Sequence, residues 1–168
     1  MSAEAPAAPS ARIFVGLGAN LGNARAALIE ALAEIERLPG TARVATSRLY
    51  RSAPVEASGP DFINAVAELR STLSPLGLLH GLHEIERRHG RERPYRNAPR
   101  TLDLDLLLHG DSALQSDELT LPHPRLHLRA FVLLPLAELA PDLALPGLGP
   151  LAPWIARCSG QAIERLAP

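Results

Sequence analysis

Leucine and aspartate alternate along residues 102–106, within an apolar stretch that continues to residue 108. Because side chains point alternately to the two faces of a β-strand, a strand over residues 102–108 would separate its leucines from its acidic residues, with Leu102, Leu104, Leu106 and Leu108 on one face and Asp103 and Asp105 on the other. The two aspartate Cα atoms would lie about 6.5–7 Å apart, so their carboxylates could share two cations about 4 Å apart. The pattern favours a Mg²⁺ pair that holds a polyphosphate. The alternative is a pair of solvated aspartates on an exposed strand face.

Periodicity along the rest of the chain predicts the order strand, helix, strand, strand, helix, strand. The strands are predicted over residues 12–18, 41–51, 62–69 and 102–108, with a first helix after the N-cap Asn23 and a second that begins at Ser74-Pro75. Two further helices are predicted, one over residues 131–139 and one near the C-terminus. The order is typical of an α+β, ferredoxin-like (split βαβ) fold: an antiparallel sheet with helices packed on one face and long active-site loops on the other.

Two of the predicted strands carry polar residues in their interiors. The second strand is predicted to turn one set of side chains to the same side: Val44, Thr46, Arg48 and Tyr50. The third is predicted to do the same with Phe62, Asn64, Val66 and Glu68. Asn64 is then either a surface residue or a group that reads a hydrogen-bonding heterocycle.

The charge is local rather than general. The chain has 168 residues, a hydrophobic content of 46% and a net charge of −1, which argues against non-specific nucleic-acid binding. All 17 basic residues are arginine, so mechanisms that need a lysine are excluded. Six of these arginines lie just before the aspartate strand: Arg87, Arg88, Arg91, Arg93, Arg96 and Arg100. They indicate that this segment handles phosphate with guanidinium groups.

The length and the hydrophobic content of the chain predict a single folded unit. Residues 1–11 are rich in alanine and proline and are predicted to be a disordered lead-in, while residues 12–168 are predicted to form one domain. No apolar run approaches the roughly 20 residues of a membrane span, and the N-terminus lacks the pattern of a signal peptide. We therefore expect a cytoplasmic protein, with Cys158 as a small core residue.

Two other spacings are weak signals. Gly16 and Gly18 are not followed by the rest of a dinucleotide-binding fingerprint. His83 and Glu86 lie on one helix face, but no further histidine or cysteine completes a zinc site with them.

Several blocks of the sequence together resemble one family. They run in order through Gly16-Leu17-Gly18-Ala19-Asn20-Leu21-Gly22, Asp61-Phe62-Ile63-Asn64, Glu84-Ile85-Glu86, Gly90-Arg91-x-Arg93, Pro99-Arg100-Thr101-Leu102-Asp103-Leu104-Asp105 and Leu121-Pro122-His123-Pro124-Arg125. The chain resembles the 6-hydroxymethyl-7,8-dihydropterin pyrophosphokinase family over about residues 13–141.

The resemblance implies an ATP-dependent diphosphotransferase of folate biosynthesis. Such an enzyme moves the β,γ-diphosphate of ATP to the hydroxymethyl group of 6-hydroxymethyl-7,8-dihydropterin and releases AMP. Asp103 and Asp105 would hold two Mg²⁺ ions, with ATP as co-substrate and the pterin hydroxyl as nucleophile. Arg91 and Arg100 would complete the catalytic set, and Arg91 and Arg93 would lie on a mobile loop.

The resemblance also implies substrate contacts. The nucleotide would be contacted by Glu86, Arg91, Arg93, Arg100, Leu106, Thr120, His123 and Arg129. The pterin would be contacted by Ser52, Ala53, Val55, Phe62, Asn64 and Phe131, with the two phenylalanines stacked on the flat ring. The implied partners are small molecules, without nucleic acid or membrane, and a monomer is expected.

Four positions depart from the family pattern. Asn97 stands where many relatives have tryptophan, Pro94 where some have lysine, His83 where relatives have glutamine and Pro124 where some have tyrosine. We expect loop closure and the nucleotide contacts to differ accordingly.

Two other function classes fit parts of the pattern. Another Mg²⁺-dependent phosphoryl or nucleotidyl transferase could use the same aspartates, because a metal site alone does not name the acceptor. A non-catalytic ferredoxin-like module could bind a small ligand without turnover, and its ligand affinity would survive the change Asp103→Ala.

Overall fold

The computed structural model describes residues 11–54, 59–90 and 102–167. In chain order the elements are β1 (Ala11–Ala19), α1 (Ala24–Glu36), β2 (Thr41–Thr46), β3 (Tyr50–Ser52), β4 (Phe62–Ser71), α2 (Pro75–Arg88), β5 (Asp103–His109), β6 (Leu114–Gln115), β7 (Thr120–Leu121), a 3-10 helix (Leu126–Leu128), α3 (Ala130–Leu139), β8 (Ala144–Leu145), β9 (Gly149–Pro150), α4 (Leu151–Arg157) and β10 (Ile163–Arg165). The predicted lead-in lies outside the described residues, apart from Ala11, which already belongs to β1.

The main sheet has the strand order β10, β3, β4, β1, β5, with β2 also paired to β4, and all its pairings are antiparallel. The central strand β1 therefore lies between the aspartate strand β5 and the Asn64 strand β4. This is the strand order of a split βαβ unit, in which the first strand lies between the third and the fourth. β5 forms one edge of the sheet.

Local sequence signals set the helix ends. The Asn23 side chain accepts a hydrogen bond from the Ala26 N–H and caps α1. Ser74 does the same for α2 through the Gly77 N–H, and Pro75 occupies the first turn, where its missing N–H costs nothing. No described helix combines the length and the apolar character that crossing a membrane requires.

Two hydrophobic cores lie on opposite faces of the sheet. The first core lies under α1 and α2 and includes Val15, Leu28, Leu69, Leu82 and Leu104. The second core lies under α3 and α4 and includes Phe14, Val66, Leu107, Leu133 and Leu151. The sequence predicted that helices cover only one face and leave the other free for a site. That prediction is wrong for the part of the second face around Phe14 and Val66, which α3 and α4 cover.

A bulge in β5 changes the predicted leucine face. The predicted alternation holds as far as Leu106, which faces the first core. The register with β1 then shifts between Phe14 and Val15, and Leu107 is the extra residue. Leu108 consequently turns to the second core, opposite Phe14. The prediction that Leu108 shares a face with the preceding leucines is wrong.

The predicted second strand is two strands, β2 and β3. Ser47 interrupts it, because its Oγ accepts a hydrogen bond from the Val66 N–H and its own N–H donates to the Val66 carbonyl. Thr46 lies opposite Ala67 of the first core, whereas Tyr50 lies opposite Asn64 on the other face. The predicted common side is therefore wrong.

Candidate active site

Two aspartates and two glycines face each other at the edge of the sheet. In the antiparallel register of β1 and β5, Asp103 lies opposite Gly18 and Asp105 lies opposite Gly16. Directly opposed residues share one face, and glycine adds no side chain of its own there, although Leu107 lies 3.5 Å from the Cβ position of Gly16 and Asn64 lies 3.1 Å from that of Gly18. Both aspartates are partly exposed.

This donor set fits Mg²⁺. The ion takes oxygen ligands, and proteins that bind it with a nucleotide commonly supply one or two carboxylates and leave the remaining positions to phosphate oxygens and water. The described residues contain no group of three or more histidine, cysteine, aspartate or glutamate side chains that could form an all-protein metal cage. Two partly exposed carboxylates therefore suit an ion bound together with a phosphate ligand.

The next strand continues this row with Asn64. Gly18 lies opposite Asn64 in the β1–β4 register, so Asp103, Gly18 and Asn64 form one line across three strands. Two interstrand spacings separate the Asp103 and Asn64 Cα atoms, a distance of about 9.5–10 Å. The line lies on the face that carries the second core.

Hydrogen bonding fixes the orientation of the Asn64 amide. Asn64 is only 4% exposed, so the surface interpretation is wrong. Its Nδ2 donates to Ser52 Oγ at 2.7 Å. Its Oδ1 would lie 3.1 Å from a Cβ built on Gly18. The acceptor oxygen is thus turned towards the glycine, and therefore towards the aspartates.

A cleft of about 240 Å³ lies along the outer edge of β5. Its walls are α2 on one side and the β6–β7 hairpin on the other. It brings together six of the predicted site residues: Glu86, Asp103, Asp105, Leu106, Thr120 and His123. Its volume is slightly below the roughly 300–1,000 Å³ usual for small-molecule sites, so it suits one part of a nucleotide.

Glu86 joins α2 to the aspartate strand. Its side chain is 1% exposed, and Oε2 accepts a hydrogen bond of 2.8 Å from the Leu104 N–H. Leu104 lies between the two aspartates, so this bond fixes the backbone that carries them. It also satisfies an N–H of an edge strand that would otherwise lie unpaired.

His123 is held as a neutral imidazole beside Asp103. The backbone N–H of His123 donates to the Leu107 carbonyl at 2.9 Å, and the ring Nδ1 accepts a hydrogen bond from the Arg125 backbone N–H. Burial lowers the pKa of His123 to about 4, and the positive charges of Arg129 and Arg125 act in the same direction, against the opposite effect of Asp103. His123 therefore offers hydrogen bonds near the aspartates without adding charge at neutral pH.

The remaining described site residues lie outside the cleft lining. Arg129 precedes α3, with its guanidinium carbon 5.4 Å from the centre of the Phe131 ring, and Phe131 is half-buried against the second core. Phe62 is the first residue of β4 and lies on the same face of this strand as Asn64. Ser52 is buried at the end of β3, and the next residue, Ala53, is exposed. Four predicted site residues lie outside the described part of the chain: Val55, Arg91, Arg93 and Arg100.

Sequence reasoning missed several residues of the site. Gly16 and Gly18 belong to the blocks that carry the family resemblance, but no role in the site was predicted for them, although a Gly-x-Gly spacing that matches Asp-x-Asp on a neighbouring strand is a usable signal. The turn of the β6–β7 hairpin also lines the cleft, through Ser116, Asp117, Glu118 and Leu119. Its serine and aspartate indicate a turn but do not indicate what the turn covers.

Comparison with known proteins identifies the relatives of the chain. A family model described as 7,8-dihydro-6-hydroxymethylpterin-pyrophosphokinase (HPPK) matches residues 14–141. The chain is 49% identical over 156 residues to the 2-amino-4-hydroxy-6-hydroxymethyldihydropteridine pyrophosphokinase of Pseudomonas aeruginosa, with 92% of this chain and 96% of that protein covered. It is 46% identical over 134 residues to the protein of the same name from Haemophilus influenzae, with 79% and 84% covered.

Solved structures share the fold at low sequence identity. A triple mutant of Plasmodium falciparum HPPK-DHPS superimposes with a TM-score of 0.72 and 16% identity. The superposition covers 95% of this chain and 46% of the HPPK-DHPS chain. A second HPPK-DHPS structure, in complex with substrates, gives a TM-score of 0.68 and 12% identity, with 88% and 43% covered. The chain thus spans less than half of each of these proteins. The likeness confirms the predicted α+β, ferredoxin-like fold.

Proposed function

Because the chain belongs to the 7,8-dihydro-6-hydroxymethylpterin-pyrophosphokinase family, we propose that it transfers the β,γ-diphosphate of ATP to the hydroxymethyl group of 6-hydroxymethyl-7,8-dihydropterin. The products are the pterin diphosphate and AMP, and the step belongs to the biosynthesis of tetrahydrofolate. The observation that carries the proposal is the line of Asp103, Gly18 and Asn64, which places a carboxylate and an amide that can bind a heterocycle on one face of the sheet. A phosphate donor and a flat acceptor can therefore meet across Gly18.

Asp103 and Asp105 would hold two Mg²⁺ ions with the phosphates of ATP. When bound, the metal neutralises phosphate charge and lowers the pKa of a coordinated hydroxyl. The chain's own contribution is the spacing of the two carboxylates, which the Glu86–Leu104 hydrogen bond maintains. No strong protein base is then needed near the pterin hydroxyl, which agrees with the weak basicity of His123, whose pKa burial lowers to about 4.

The nucleoside end of ATP would lie in the cleft beside β5. The Leu104 N–H points away from β1 towards Glu86, so two residues further along, the N–H and C=O of Leu106 also point outward. This donor and acceptor pair suits the edge of a purine. Thr120 lies on the opposite wall of the cleft.

The family resemblance supplies the remaining nucleotide contacts. Arg91, Arg93 and Arg100 would hold the phosphates, and Arg129 would contribute from the start of α3. Guanidinium groups suit this task because they bind phosphate oxygens in pairs.

The pterin would lie over β4, on the Asn64 side of Gly18. Since Asn64 Nδ2 is engaged by Ser52, its Oδ1 is the atom available to accept from the ring N–H or amino group. Phe62 and Phe131 would stack on the two faces of the ring. Ser52, Ala53 and Val55 would border it from the end of β3.

The test is the identity of the nucleotide product. The protein is incubated with MgATP and 6-hydroxymethyl-7,8-dihydropterin, and the nucleotides are separated by chromatography. We expect AMP only when both the pterin and Mg²⁺ are present, and no AMP from the variant Asp105→Asn. ADP would instead indicate a simple kinase, and binding without turnover would indicate a ligand-binding module.

We also propose that residues 12–168 act as one catalytic unit, and that the protein works as a monomer in the cytoplasm. Light scattering on the purified protein should give a particle of 18.0 kDa. A particle of twice this mass would contradict the monomer.

A further inference from the structure

Asn20 is a buried amide directly after β1 that has no role so far. It is 4% exposed, and its Nδ2 donates a hydrogen bond of 3.1 Å to the Pro60 carbonyl. A buried amide is expensive to desolvate, so its hydrogen bonds define where the groups around it lie.

This bond lies where the pterin side of the site begins. The β1–β4 ladder ends at the pair Ala19 and Ile63, and the Asn20–Pro60 bond continues the connection between the two segments beyond that pair. Pro60 precedes Phe62 by two residues. Fixing the Pro60 carbonyl therefore fixes the direction in which the chain enters β4 and presents Phe62.

The backbone before Pro60 increases the importance of this contact. Gly59 has a φ of +109°, a conformation that glycine adopts readily and other residues avoid. Because glycine can adopt many backbone conformations, Gly59 alone does not determine the path of the chain into β4. A hydrogen bond to another part of the fold is needed to select one path. Asn20 supplies that bond from the end of the strand whose glycines border Asp103 and Asp105.

We infer that Asn20 is a positioning residue for the pterin, because it holds Pro60 and thereby places Phe62 against the ring. This inference rests on the proposed function, since it assumes that the pterin lies beside Phe62 and Asn64. Asn20 does not touch the phosphates or the metal in this account. Its loss should therefore act on pterin binding through Pro60 and Phe62.

The variant Asn20→Asp tests this with little change in shape. It replaces the donating Nδ2 by an oxygen that faces the Pro60 carbonyl oxygen, so the hydrogen bond is lost and repulsion takes its place. We expect KM for the pterin to rise about tenfold or more, since each tenfold step corresponds to about one lost hydrogen bond. KM for ATP and kcat at saturating pterin should change less than about threefold, because the account places no contact between Asn20 and the phosphates or the metal.

A matched control lies three residues away. Asn23 also uses its side chain to hold a backbone group, but that group is the Ala26 N–H at the start of α1. The variant Asn23→Ala should lower the melting temperature through loss of the helix cap and leave KM for the pterin unchanged. The comparison separates a positioning role of Asn20 from a general loss of stability.

A double-mutant cycle identifies the route of the effect. If Asn20 acts through Phe62, the combination of Asn20→Ala and Phe62→Ala should raise KM for the pterin little more than Phe62→Ala alone. Additive effects would overturn the proposed route.

The outcomes separate this inference from the proposed function. If the unchanged protein forms AMP but Asn20→Asp alters the KM of both substrates equally, or alters neither, only the inference fails. If neither Asn20→Asp nor Asn20→Ala yields folded protein, Asn20 is required for folding and the inference is also overturned. If the unchanged protein forms no AMP, the proposed function itself fails.

Discussion

Replacing Gly18 by alanine would add one methyl group at the point where β1 separates Asp103 from Asn64. The new Cβ would lie 3.1 Å from Asn64 Oδ1 and 3.9 Å from Phe62 Cδ1. The first distance is tighter than ordinary van der Waals contact, and Asn64 cannot retreat without straining its 2.7 Å bond to Ser52. The amide that the pterin would use must therefore shift.

The magnitude follows from two opposing effects. Overpacking at a buried site costs about 1–3 kcal/mol. Replacing a strand glycine by alanine stabilises the folded state by about 0.4–1 kcal/mol, because the unfolded chain then has less conformational entropy. This gain applies at Gly18, whose φ is not positive. We expect a net loss of about 1–2 kcal/mol in the free energy of unfolding. Pterin affinity should fall roughly tenfold, the equivalent of one displaced hydrogen bond.

Gly16→Ala is the control for this prediction. A Cβ on Gly16 would make only ordinary contacts with Leu107, the nearest at 3.5 Å. Urea unfolding and calorimetric titration with the pterin should therefore show a loss for the Gly18 variant and little change for the Gly16 variant. Equal pterin affinities of the two variants would refute the assignment of Asn64 to the pterin.

Two further predictions concern the frame of the site. Glu86→Ala would leave the buried Leu104 N–H without its acceptor and should cost about 1–3 kcal/mol in the free energy of unfolding, together with a higher Mg²⁺ requirement. Glu86→Gln keeps an acceptor, so urea unfolding and Mg²⁺ titration should show that it retains most of the stability and of the Mg²⁺ affinity. Equal losses in the two variants would exclude the role of the hydrogen bond. Burial, together with the hydrogen bond from Tyr50 to Glu138, raises the pKa of Tyr50 to about 12. Because the neutral form is favoured in the folded state, the hydroxyl's contribution is complete below pH 10 and is lost as pH rises towards 12, by up to about 3 kcal/mol. In urea unfolding from pH 8 to 12, the advantage of the unchanged protein over Tyr50→Phe should shrink above pH 10, and a constant difference would contradict the assignment.

Periodicity predicted the elements that have one clear pattern. The alternation of leucine and aspartate correctly gave β5 as far as Leu106. It could not give the bulge, because residues 106–108 are all leucine and a shift of phase leaves no mark on such a run. The break at Ser47 depends on hydrogen bonds to Val66, which is distant in sequence. Local pattern therefore could not separate β2 from β3.

The candidate site depended on register in the same way. The sequence and the family resemblance gave Asp103, Asp105 and Asn64, but not the line that joins them through Gly18, because strand pairing decides which residues lie opposite each other. Burial of Asn64 was also open, since a strand face can be either solvated or covered. Glu86 was expected to contact the nucleotide. Its hydrogen bond to the Leu104 N–H could only be seen in the structure.

The central claim is that the metal and the pterin meet across Gly18 on one face of the sheet. The most direct measurement uses Mn²⁺ in place of Mg²⁺, with a non-hydrolysable ATP analogue and the pterin bound together. Proton relaxation by Mn²⁺ then gives the distance from the metal to the hydroxymethyl protons. We predict a distance shorter than the roughly 10 Å between Asp103 and Asn64, since the ligands lie between these residues, and loss of the effect in Asp105→Asn. Bound pterin whose hydroxymethyl protons do not relax faster would contradict the account.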